Sequence, residues 1–236
     1  MTTDATPISD PALYRLMTWL SPGFPVGGYT YSHGIEYAVE AGLVGDRESL
    51  RGWIGDILLY GSGRVDAGFL GAAWSAAAAD DADALARVAE RAEAFRGTAE
   101  TAMESLAQGK AFLDAVRGAW PHRRLDGWVR ELELIGRSPT YPVAVGVAAA
   151  LAAVPRHAAV TGYLHAFAAN LVSAGVRLVP LGQSDGLRAI AALEASVQTA
   201  AENALTGDLD DVGTATFMVD WTSMQHETQY TRLFRS

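Results

Sequence analysis

The chain contains no cysteine in 236 residues. Disulfides, thiolate metal ligands and a cysteine nucleophile are therefore excluded, and the composition suits a reducing compartment. Basic side chains are also short in number, 18 against 27 acidic ones, which leaves a formal net charge of −9. Nucleic acid, whose phosphates want a basic face, is excluded as a partner class on this ground. The opening MTTDATPISDP has neither a positive n-region nor an apolar h-region. It does not read as a secretory signal, and a cytoplasmic location with a loose N-terminus over residues 1–10 is expected. Alternating strand patterns are scarce, and no repeat of roughly 20–50 residues is visible, so a solenoid is not expected.

Several catalytic signatures are missing as well. Gly109-Lys110 lacks the upstream glycine and the following hydroxyl of a P-loop. His226-Glu227 begins an H-E-x-x-H run, but Tyr230 stands where its second histidine belongs. The five histidines, at 33, 122, 157, 165 and 226, never fall three or four residues apart, so no helix carries a local metal-ligand pair and no metal site is expected.

What is present is helical periodicity. Leu50, Trp53, Ile54, Ile57 and Leu58 fall at i, i+3, i+4, i+7 and i+8, with Asp46 placed to cap that helix. Leu85–Phe95 and Leu125–Ile135 repeat the pattern, and alanine, the best helix former, is dense between Ala67 and Ala115. A further helix is expected from Leu187 to Leu205, capped by Ser184 or Asp185. Glycines and prolines punctuate the segments. The expected fold is all-α, a single-domain bundle of roughly eight to ten helices over residues 11–205, with residues 206–236 as its C-terminal extension.

Two stretches, residues 138–155 and 157–176, carry no charged side chain. Prolines shorten the first, and His157, Thr161, His165, Asn170 and Ser173 make the second too polar for lipid. Buried central helices are expected there, not a membrane hairpin. Their small residues also allow close helix approach, either inside the bundle or across a dimer.

Three segments stand apart in composition. LSPGFPVGGYTYSHGIEYAVEAGLV, residues 20–44, begins with an irregular Gly/Pro backbone; a helix is expected from about Tyr29 to Ala41, with Gly42 as its stop. Tyr29, Tyr31, Ser32, His33 and Glu36 cluster at its start, as packing under another helix or as a recognition surface. Gly182-Gln183-Ser184-Asp185-Gly186 matches G-x-S-x-G, and downstream acids followed by His226 keep the hydrolase order. A nucleophile elbow needs a strand before the serine and a parallel sheet to hold the turn. Residues 176–180 offer one short strand, but the rest of the chain supplies no sheet, and the other reading is a turn between helices. Finally, TGDLDDVG, residues 206–213, reads as an acidic, flexible break before MQHETQYTRLFRS, where aromatic, Met and Arg residues replace alanine. Chain ends seldom carry such residues.

Taken together and in order, LSPGFPVGGYTYSHGIEYAVEAGLV, LVPLGQSDGLRAI and MQHETQYTRLFRS resemble the urease accessory protein UreF family, over nearly the whole chain from about Leu13. Where that family usually reads PVGSFAYSQGLE, this chain has Gly28 and His33 as departures. The resemblance implies an all-α homodimer without catalysis of its own. It implies binding to UreD (UreH in some systems) and recruitment of the GTPase UreG to activate apo-urease. Nickel and GTP would be handled by that complex, with no cofactor bound by this chain alone. Under this resemblance Met224, His226, Tyr230, Arg232, Leu233 and Phe234 are expected to meet UreD and UreG, with Arg232 helping to recruit the GTPase. Tyr29, Ser32, His33, Glu36 and Gln183 are expected as partner or structural contacts. Tyr163, Phe167 and Leu171, on the apolar helix from His157 to Val179, are expected at the dimer interface. A serine hydrolase using Ser184 and a nickel-binding metallochaperone are the alternatives.

Overall fold

A computed structural model describes residues 7–235. Among them are twelve α-helices, two short 3-10 turns and no strand, so the all-α expectation holds. In chain order the helices are α1 (Asp10–Trp19), α2 (Ile35–Glu40), α3 (Arg47–Tyr60), α4 (Ser62–Ala79), α5 (Ala82–Ala94), α6 (Ala99–Ala119) and α7 (Arg123–Leu134). They continue as α8 (Tyr141–Leu151), α9 (Arg156–Leu178), α10 (Gln183–Ala192), α11 (Glu194–Thr206) and α12 (Phe217–His226). Of the N-terminal stretch expected to be loose, residues 1–6 lie outside the described residues, and helix begins at Asp10.

The centre of the bundle is α4 against α8, the most extensive helix pair. Eight of the eleven residues of α8 are buried. Gly146 lets the two helices touch, because a Cβ there would sit 2.5 Å from the Leu70 carbonyl oxygen and 3.2 Å from the Ala73 Cβ. The uncharged stretch from residue 157 becomes α9, the one helix among the described residues long and apolar enough to span a membrane by length and composition. It packs on α3, α4, α8, α10 and α11, and half of its most apolar window is buried inside the protein.

Local signals explain the helix ends. Asp46 caps α3 as expected: its carboxylate accepts from the Ser49 N–H at 2.8 Å, and Ser49 Oγ returns a contact to the Asp46 N–H at 3.1 Å. Gly42 ends α2 in the left-handed conformation, φ 73°. The Leu43 and Gly42 amides then bond back to the Ala38 and Val39 carbonyls, which is a Schellman closure.

Three expectations are corrected. The helix expected from Tyr29 to Ala41 is a 3-10 turn at Gly28–Thr30, then a bend, then a six-residue α2. His33 (φ 52°) and Gly34 (φ 75°) are both left-handed, which a continuous helix cannot accommodate. The helix expected from Leu187 to Leu205 begins earlier, at Gln183, and breaks at Leu193 into α10 and α11; Gly182, not Ser184 or Asp185, is its N-cap. The acidic break at 206–213 is strapped down. Arg64 donates to the Asp211 carbonyl at 3.0 Å, Arg91 to Asp210 at 2.7 Å and to the Leu209 carbonyl at 3.0 Å, and Arg156 to the Leu205 carbonyl at 3.3 Å. One acidic side chain, Asp210, pairs with Arg91 of α5, while Arg64 of α4 and Arg156 of α9 hold main-chain carbonyls of and beside the stretch, partners invisible in the linear sequence.

Candidate functional site

The C-terminal segment does not fray; it closes over the start of α2 and α6. Two carboxylates organise it, both from first turns of helices. Glu36 (α2) receives the backbone N–H of Leu233 at 2.6 Å on one oxygen, and that of Phe234 at 2.9 Å on the other. The same second oxygen lies 3.0 Å from His226 Nε2. Glu100 (α6) faces His226 Nδ1 at 2.8 Å with one oxygen and accepts from Arg232 at 2.7 Å with the other. His226, the last residue of α12, is thus a fully buried bridge between two carboxylates brought from positions 36 and 100.

Other bonds finish the closure. Glu227 accepts from the Ala99 N–H at 3.1 Å, an acid placed at the N-terminus of α6 where the helix dipole favours it. Gln229 donates to Glu40 at 2.5 Å, and the Arg235 N–H donates to the Thr30 carbonyl at 2.7 Å. Phe234 is buried, with the Arg177 guanidinium of α9 lying 4.4 Å over its ring. Arg177 also donates to the Tyr29 carbonyl at 2.9 Å, joining the Gly/Pro loop to the tail.

This arrangement requires the bend at Gly34. A Cβ there would lie 2.7 Å from the Ser223 N and 2.8 Å from Thr222 Oγ1, so α12 could not approach α2 and His226 could not reach Glu36. Ser32 is buried at the same turn and takes the Glu36 N–H on its hydroxyl at 3.4 Å.

The expected contact residues therefore divide. Tyr230 is fully exposed, Leu233 is 65% exposed and Met224 is half exposed, so these three present themselves to solvent. Arg232 stands at the edge, its guanidinium tied to Glu100 and its side chain 39% accessible. His226 and Phe234 are corrected to internal residues: both are buried and engaged within the chain. Tyr29 is exposed beside the tail, while Glu36 is the structural anchor of the closure. Gln183 is exposed in the first turn of α10, outside this constellation.

His33 points the other way. Its Nε2 lies 3.0 Å from Glu104 and its ring meets Phe167 edge-on at 4.9 Å. Burial pulls its pKa down, but the charge and hydrogen bond of Glu104, helped by Asp66, outweigh that and hold it above the usual value. Tyr163 and Leu171 are core residues, not free for a second copy; the Tyr163 hydroxyl donates to Asp66 at 2.6 Å. Phe167 is only partly buried.

The alternatives find little here. Ser184 lies exposed within the first turn of α10 with no strand before it, and His226 is enclosed by Glu36 and Glu100. Among the described residues no three His, Asp or Glu side chains surround a common metal position. Sequence reasoning missed Glu100 and Arg177. Glu100 carried one weak signal, an acid two residues after Thr98, which is the N-cap of α6, while nothing marked Arg177.

A family profile for UreF matches residues 44–194 of the chain. Relatives named urease accessory protein UreF are similar over its full length. The protein from Rhodopseudomonas palustris strain BisB5 is 51% identical, covering 100% of this chain and 97% of the relative. That from Bradyrhizobium sp. strain BTAi1 is 52% identical, over 98% and 95%. That from Granulibacter bethesdensis is 51% identical, over 96% and 95%. With its all-helical fold and its ordered C-terminal segment, the chain belongs to the UreF family of urease accessory proteins.

Proposed function

We propose that this chain is a non-catalytic chaperone of urease maturation, working in the cytoplasm. It binds UreD (UreH) through the outer side of its C-terminal closure and recruits the GTPase UreG, so that the assembly delivers nickel to apo-urease. Nickel is then cargo and GTP the substrate of UreG, with neither resident on this chain. One observation carries the reading. The Glu36 carboxylate fixes the backbone of Leu233 and Phe234, Glu100 ties down the Arg232 side chain, and Tyr230 and Leu233 of the same segment are exposed. An exposed aromatic and an exposed leucine on a preorganised segment that also carries Arg232 and Arg235 have the composition of an interface hot spot. Preorganisation also lowers the ordering cost of binding.

Co-expression with UreD and UreG from one source tests this. The unmodified chain should co-purify with both. Tyr230→Ala should weaken UreD capture by roughly 30-fold, about 2 kcal/mol for a hot-spot aromatic, and Leu233→Asp should abolish it, with helical content unchanged. Arg232→Ala should lower UreG recovery more than UreD recovery. Full capture of both partners by the Tyr230/Leu233 double variant would refute the surface assignment. A homodimer belongs to the same reading, with its contact away from Tyr163 and Leu171; light scattering that shows a monomer at micromolar concentration would remove it.

A further inference from the structure

His226 is fully buried, and both of its ring nitrogens meet a carboxylate. Nδ1 lies 2.8 Å from a Glu100 oxygen, and Nε2 lies 3.0 Å from a Glu36 oxygen. A neutral imidazole carries one N–H and one lone pair, and an ionised carboxylate carries no hydrogen. A neutral histidine between two ionised carboxylates therefore fills only one of the two lines. On the other, a lone pair would face an anion at a distance that leaves no room for water between them. Both lines are filled only when the bridge holds one hydrogen more, on the imidazole or on either carboxylate. The count is the same wherever that hydrogen sits.

The charged groups around the bridge run the same way. Besides Glu36, α2 brings Glu40, which accepts from Gln229. Besides Glu100, α6 brings Glu104, which is engaged by His33 and Gln108. The tail adds Arg232, on the second Glu100 oxygen at 2.7 Å, and Glu227, which accepts from the Ala99 N–H. Arg177 of α9 is held at the Phe234 ring and the Tyr29 carbonyl. Within the bridge, Glu36 and Glu100 supply two negative charges and Arg232 one positive. The additional hydrogen makes the cluster neutral, which burial favours. Once the tail lifts, these side chains return to water, where an imidazole gives up its proton above about pH 6.5.

We infer that closure of the C-terminal segment is coupled to the uptake of one proton by the Glu36–His226–Glu100 bridge, which makes it a pH-dependent latch. Between about pH 5 and about pH 6.5 the open and closed forms hold the same number of protons, and closure is constant. Above that range only the closed form keeps the hydrogen, so each further pH unit weakens closure about tenfold. The ordered backbone that carries Tyr230 and Leu233 is firmest at or below neutrality and loosens in alkali. The inference stands on bonds inside the chain and is independent of any partner.

Solvent-exchange NMR at the Leu233 and Phe234 amides of the full chain, corrected for the intrinsic exchange rate at each pH, reads the closure directly. Their protection should be level up to about pH 6.5 and fall about tenfold per unit from about pH 7 to about pH 9. Glu100→Gln is the sharpest control. Its amide N–H donates to His226 Nδ1 while its oxygen keeps Arg232, so both lines fill without a titrating hydrogen, and protection should become level across the whole range. His33→Gln removes the neighbouring His33–Glu104 titration and should leave the slope at the tail as it is. Level protection in the unmodified chain, an unchanged slope in Glu100→Gln, or loss of the slope in His33→Gln would each overturn the inference. If Glu100→Gln leaves the tail open at every pH, the unmodified chain and His33→Gln decide.

Discussion

The α4–α8 contact and the C-terminal closure both join segments distant in sequence, but by opposite means. At α4–α8 no charge pairs across the contact, because α8 carries none. Glycine and alanine bring two backbones together, and the binding force is apolar area removed from water. At the tail the buried groups are Glu36, Glu100 and His226, and order comes from hydrogen bonds with few alternatives. The difference teaches where each part is vulnerable. The core depends on shape, so an added carbon breaks it. The closure depends on two carboxylates, so removing one frees a surface without unfolding the bundle.

The largest expected effect falls on the core. Gly146→Val places carbon against the Leu70 carbonyl, which backbone cannot yield, and should cost about 3 kcal/mol or more in urea denaturation. Next is Glu36→Ala, which leaves the Leu233 and Phe234 amides and His226 Nε2 without their partner, while Nδ1 keeps Glu100, at a local cost of about 3 kcal/mol. Hydrogen exchange at Leu233 and Phe234 should accelerate by roughly 100-fold, while the core amides of α8 change little. Equal acceleration in α8 would erase the distinction between the two regions.

A smaller effect tests the His33–Glu104 pair behind the tail. Because the folded-state pKa of His33 is raised above 6.5, its contribution to stability is complete below that value and is lost as pH rises through the folded pKa. Stability of the unmodified chain should therefore decline relative to His33→Gln as pH is raised above 6.5, as followed by denaturant midpoints. A constant difference across that range would show that the pair is not ionised as described. The smallest effect is expected for Arg232→Ala. This part-exposed pair should contribute within about 1 kcal/mol to stability, even where partner recruitment suffers.

Much of this was legible in the sequence, and the limits have physical causes. The periodicities of α3, α5 and α7, the Asp46 cap and the Gly42 stop depend on neighbours within one or two turns, so they could be read directly. The three compositional outliers located the tail and the Gly/Pro loop. What could not be read was the pairing between them. His226 meets Glu36 across 190 positions and Glu100 across 126, and no local pattern marks such partners. The same blindness made His226 and Phe234 look like exposed contacts, since a dense cluster of anchors reads alike whether it faces a partner or its own domain. The bend at His33–Gly34 was missed because the apolar spacing around it still suits a helix. Only the approach of Ser223 shows why the backbone turns there.

The most direct test of the account is hydrogen exchange over residues 227–235 of the isolated chain, repeated with saturating UreD. The account predicts that the Leu233 and Phe234 amides are already protected alone, and that UreD adds protection around Tyr230. Free exchange of Leu233 and Phe234 in the isolated chain, with protection appearing only when UreD is added, would contradict a tail preorganised by Glu36.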